Sequence, residues 1–66
     1  MLHEDAVRIF EEEMMPLIKL IHEQDGIPDR VARSEVWNNW TDALCKARVI
    51  SDWQYDNWSQ PPSCGD

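Results

Sequence analysis

The 66-residue sequence has only two glycines, Gly26 and Gly65, one phenylalanine and one tyrosine. With so few glycines, no glycine-rich loop is available to cradle a phosphate group. It also lacks any apolar run near the roughly 18 to 20 residues a membrane-spanning helix needs, so no membrane role is expected. Basic side chains are scarce, six against thirteen acidic ones, for a net charge of −7. Internal repeats, low-complexity stretches and strand signals are absent as well. The first residues, Met1-Leu2-His3-Glu4-Asp5, are acidic where a signal peptide carries its basic region, so a cytoplasmic chain is expected. A chain this short makes one small domain at most and buries only about 60% of the surface its unfolded form exposes. There is little room for a core and an enclosed pocket together, which speaks against an enzyme.

What is present is a hydrophobic fraction of 42% and four tryptophans. That fraction is ordinary for globular chains, and large aromatics are what a small core requires. Residues 2 to 24 contain no glycine and follow a helical period, with Val7, Phe10, Met14, Leu17, Ile18 and Ile21 within an arc of about 100°. Glu4, Asp5, Arg8, Glu11, Glu12, Lys19 and Glu23 fall on the other side. Pro16 removes a backbone donor and collides with the carbonyl four residues earlier, so a kink is expected near residues 12 to 16. Asp25-Gly26-Ile27-Pro28 is the clearest break, with Gly26 suited to a left-handed C-cap. Asp29 then caps a second helix running to about Arg48. Its apolar face is read as Ala32, Val36, Trp37, Trp40, Ala43, Leu44 and Ala47. Ser51 and Gln54 form an S-x-x-Q capping box, flanked by Ile50 and Tyr55 as a hydrophobic staple, and predict a third helix from Asp52 to Trp58. The fold class is therefore all-α: a small three-helix domain with a long kinked first helix, a second helix and a short third. The domain covers residues 1–59, and 60–66 form a C-terminal tail expected to be extended, or disordered at its end.

The aromatic set Trp37, Trp40, Trp53, Tyr55 and Trp58 is mainly the core that so short a chain needs. Trp53 and Tyr55 nevertheless lie about 160° apart on one short helix. At least one ring is expected at the surface as an anchor for a partner, Trp53 or Trp58, since tryptophan is prominent in interface hot spots. Glu11-Glu12-Glu13 is a solvated helix face or an electronegative patch that steers the chain onto a basic surface. The partner-binding candidates are thus Trp53, Trp58, Glu11 and Glu12. Direct nucleic-acid binding is not expected, because the third helix carries Asp52 and Asp56 without a base and would repel phosphate. Acidic mimicry of nucleic acid is an alternative, although a charge of −7 is modest for it. Leu2, Ile9 and Leu20 form a second apolar line that would serve a homodimer seam.

Cysteine and histidine chemistry is sparse. Cys45 and Cys64 could pair, with the Cys45 thiol facing outward, but reduced thiols are expected in a cytosolic compartment. His3, His22, Cys45 and Cys64 show no metal-ligand spacing, so no metal site is expected. Neither histidine sits in a pattern that marks a nucleophile and its base. No catalytic residue and no cofactor are assigned.

The run Trp37-Asn38-Asn39-Trp40-Thr41-Asp42-Ala43-Leu44-Cys45, followed by Ile50-Ser51-Asp52-Trp53-Gln54-Tyr55-Asp56-Asn57-Trp58, resembles small acidic, Trp-rich, uncharacterised proteins of bacteriophages and mobile elements. The resemblance covers residues 37 to 61. It implies a phage or plasmid context, hence a host-cell cytoplasm, and no residue roles. In that context a small acidic protein that is no enzyme is expected to bind a host protein and modulate it.

Overall fold

The computed structural model describes residues 1–65, and the last residue of the tail, Asp66, lies outside the described residues. Among them are three helices and no strand. Helix α1 (residues 3–22) is continuous but not uniform. An α-helical stretch His3–Ile9 leads into a wider π-helical turn, Phe10–Met14, and then a second α-helical stretch, Met15–His22. Helix α2 is Arg30–Lys46 and helix α3 is Asp52–Asn57. A single 3₁₀ turn, Pro62–Cys64, follows.

The π turn takes the place of the kink the proline predicts. Met15 N–H donates to the Phe10 carbonyl, five residues back. Pro16 supplies the physical reason: it has no N–H for the Glu12 carbonyl, and its ring crowds that carbonyl. A wider turn just before it makes room without breaking the helix. The extra residue shifts the phase of everything downstream by about 100°.

That shift corrects the expected core stripe. α1 buries Ala6, Phe10, Met15 and Ile18, while Val7 and Met14 are half-buried. The step from Phe10 to Met15 is five residues, as a π turn requires. Leu17 and Ile21, in phase with Phe10 on a regular helix, are instead 53% and 64% exposed. The seam of Leu2, Ile9 and Leu20 is also broken up, because Leu20 is carried away from Leu2 and Ile9 by the same rotation.

α1 ends earlier than the sequence suggests. Glu23 is its C-cap, and Gly26 lies three residues beyond it, at φ 81° in the following turn. There the Ile27 N–H is taken by the Asp25 carboxylate at 3.0 Å. Asp29 caps α2 as its side chain predicts, accepting from Ala32 N–H at 3.0 Å. The buried face of α2 is Ala32, Trp37 and Thr41, with Val36, Trp40 and Leu44 half-buried, whereas Ala43 and Ala47 are exposed. Thr41 enters the interior because its hydroxyl is satisfied locally, donating to the Trp37 carbonyl at 2.9 Å.

α2 closes two residues before Arg48, which takes a left-handed conformation at φ 62°. Val49 N–H donates to the Leu44 carbonyl and Arg48 N–H to that of Cys45. This is the paired bonding of a Schellman cap with arginine where glycine is usual. α3 then starts on both halves of its capping box, Gln54 N–H to Ser51 Oγ at 3.1 Å and Ser51 N–H to Gln54 Oε1 at 2.8 Å. Of the expected staple, Ile50 is buried and Tyr55 remains 38% exposed.

The core is an aromatic stack. Phe10 meets Trp37 edge-to-face at 5.3 Å between ring centroids, and Trp40 lies 5.7 Å from Trp37. Two long-range clasps close the chain around it. Gln54 donates to the Met1 carbonyl at 2.8 Å, and the His3 ring bonds the Ser59 carbonyl at 2.7 Å. The tail runs extended through Pro61 and then turns back onto α2, burying Pro61 and Cys64. Burial of Cys64 in the core cluster is what ties down an end that composition alone would leave free.

Candidate functional site: an exposed tryptophan, an acidic turn and an unpartnered helix face

The two candidate anchor rings have opposite surroundings. They are five residues apart and so about 140° apart around a helix. Trp53 stands in the first turn of α3 and is 69% exposed. Trp58, the C-cap of α3, turns inward. It is half-buried, packs against the core cluster and stacks on His3 at 5.2 Å with 15° between the rings. Trp58 is therefore part of the clasp that holds the N-terminus, and Trp53 is the ring presented to solvent.

Glu11 and Glu12 lie on the π turn with Glu13, and all three side chains are exposed. Arg8 is 4.0 Å from Glu12 and 3.5 Å from Asp5, both across open helix surface where an ion pair contributes little. The turn thus keeps its negative character.

The apolar side chains left outside α1 form a set that the sequence reading missed. Leu17, Leu20 and Ile21, at i, i+3 and i+4, are 53%, 68% and 64% exposed and share one face. That face points well away from the buried line of Met15 and Ile18. Ile27 and Val31, also largely exposed, line a shallow open cleft that begins at His22. The signal that could have revealed this set is Met14-Met15 before a proline, which offers two alternative phases for one helix.

Electrostatics inside the fold centre on one further pair that no local pattern announces. Glu23 and Arg33 form a two-pronged ion pair, both bonds 2.7 Å, with little of either side chain exposed. Arg33 also donates to the Ser63 carbonyl, and Glu23 accepts from Asp29 N–H. The end of α1, the start of α2 and the tail are joined at this point. The Arg33 hydrogen bonds hold the Glu23 carboxyl below its ordinary value of 4.5.

Neither cysteine is activated. The Cys45 thiol donates to the Asp52 carboxylate at 3.2 Å, and that bond raises its pKa. Burial raises that of Cys64. Both shifts run opposite to those of a reactive thiolate. Both thiols are free, and Cys45 is half-buried beside an open groove of about 570 Å³ that includes Arg48, Val49 and Asp52. Among the described residues no three His, Cys, Asp or Glu side chains gather in a way that could hold a metal ion. No described helix is long and apolar enough to cross a membrane.

Set against family models, curated proteins and solved structures, the chain matches none. The binding reading therefore rests on the chain's own surface.

Proposed function

We propose that this chain is a non-enzymatic protein–protein interaction factor, an accessory protein of a bacteriophage or mobile element that binds and modulates a host protein. The observation that carries the reading is Trp53, 69% exposed on a helix whose capping box fixes its start. A small domain gains most by burying its largest rings. A tryptophan left outside costs hydrophobic stabilisation and offers an anchor that a partner's pocket can desolvate. Glu11 and Glu12 supply the second component, a negative turn that speeds encounter with a basic surface and weakens with salt. The phage or mobile-element setting is the part of the proposal that only the resemblance of residues 37 to 61 motivates.

The test is affinity capture of tagged wild-type and Trp53→Ala chains from bacterial lysate at low and high salt, with mass spectrometry of what is retained. One dominant protein held by the wild type at both salts, and lost with Trp53→Ala while helicity is kept, is the expected result. Identical capture by both chains, or none by either, overturns the reading.

A further inference from the structure

We infer that the Leu17–Leu20–Ile21 face of α1 is a second docking surface, and that its occupant is a basic amphipathic helix of another protein. The inference rests on the reading of the chain as a protein-binding factor and names the chemistry of one partner element. Three large aliphatic side chains at i, i+3 and i+4 are the anchor pattern by which one helix packs on another. Leu17 and Ile21 are outside because the π turn rotates the second half of α1, where they join Leu20, which lies off the core stripe on a regular helix as well. No element of the fold covers the three among the described residues.

Charge decides between a second copy and a different partner. Between residues 9 and 29 the acids are Glu11, Glu12, Glu13, Glu23, Asp25 and Asp29, and Lys19 is the one Lys or Arg. Glu23 is neutralised by Arg33, which leaves the acidic turn before the face and Asp25 after it. In an antiparallel pairing of two copies centred on this face, Glu13 of each chain would approach Asp25 of the other. Each copy would also bring a net charge of −7. An apolar stripe edged by lysine or arginine matches the same surface in both respects.

The probe is a labelled synthetic helical peptide of about five turns, with a leucine stripe edged by lysine, and its counterpart edged by glutamate. Binding is read by fluorescence anisotropy with wild type, Trp53→Ala and the triple variant Leu17→Ser, Leu20→Ser, Ile21→Ser. The triple variant keeps every charge, and circular dichroism checks that it folds. The lysine-edged peptide should bind the wild type, and at least about tenfold more weakly the triple variant, with the glutamate-edged peptide weaker by a similar factor. Trp53→Ala should remain within about twofold of wild type. Equal binding by wild type and triple variant, no binding of the lysine-edged peptide, or no preference between peptides overturns the inference. So does a dimer of the free chain in sedimentation equilibrium that the triple variant abolishes, which would make a second copy the occupant. Equal peptide binding with Trp53-dependent capture intact counts against this face alone. Discrimination by the peptide without Trp53-dependent capture counts against the Trp53 reading alone.

Discussion

The Met15 N–H reaches back five residues to the Phe10 carbonyl, and both side chains are buried in the same core. That one bond sets the phase of the molecule. With a four-residue step, Met14 would follow Phe10 inward, and Leu17 and Ile21 would line the core. With the five-residue step, Met15 and Ile18 do so, and the aliphatic side chains expected inside face solvent. Packing at Phe10 should be correspondingly sensitive. Phe10→Ala is expected to cost about 3–5 kcal/mol, enough to unfold much of a chain this small. Urea denaturation followed by circular dichroism measures it.

Arg48 occupies the left-handed position of the α2 cap, where an L-residue is strained. Arg48→Gly should stabilise the chain by about 0.5–1 kcal/mol, with part of the relief offset by a more flexible unfolded state. Arg48→Val, β-branched, should destabilise it. Urea midpoints of the two variants should fall on opposite sides of the wild type.

The capping box of α3 is expected to contribute on the ordinary scale for such motifs. Ser51→Ala removes the acceptor for Gln54 N–H and should cost about 1 kcal/mol. Gln54→Ala removes the same box from the other side and also the bond to the Met1 carbonyl. It should therefore cost more than Ser51→Ala, as read by the same denaturation experiment.

Stability should fall in acid through Glu23. Its folded pKa lies below its ordinary value of 4.5, because Arg33 hydrogen-bonds the carboxylate. A depressed folded pKa contributes stability that is fully present above the unfolded pKa and is lost as pH falls through the folded one. The wild type should thus lose stability progressively below about pH 4.5. Glu23→Gln should be less stable at neutral pH and show a flatter dependence in that window. Urea midpoints measured across it for both proteins give the comparison.

Much of this architecture could be read from the residues. Asp29 and the Ser51–Gln54 box are local signals, since each bond joins groups three residues apart, and the starts of α2 and α3 follow from them. The aromatic core was legible for a similar reason: Trp37 and Trp40 recur at helical spacing. The phase of α1 was not. It depends on where a helix places one extra residue before Pro16, and both Met14 and Met15 are apolar enough to fit inside. The Glu23–Arg33 pair joins residues ten apart across a turn, beyond the reach of any periodicity. At the candidate site, geometry on a short helix indicated that a ring must stand outside. The choice of Trp53 over Trp58 needed the position of His3, which is 55 residues away in the chain.

The most direct test compares two adjacent positions, Leu17→Ser and Ile18→Ser, by urea denaturation. The substitutions make nearly the same chemical change on neighbouring residues, one 53% exposed and the other 2% exposed. Leu17→Ser should stay within about 0.5 kcal/mol of wild type. Ile18→Ser should lose about 2 kcal/mol or more. A severe loss at Leu17 as well as at Ile18 would return α1 to a regular phase, in which both lie on the apolar stripe, put Leu17 and Ile21 back in the core and contradict the account.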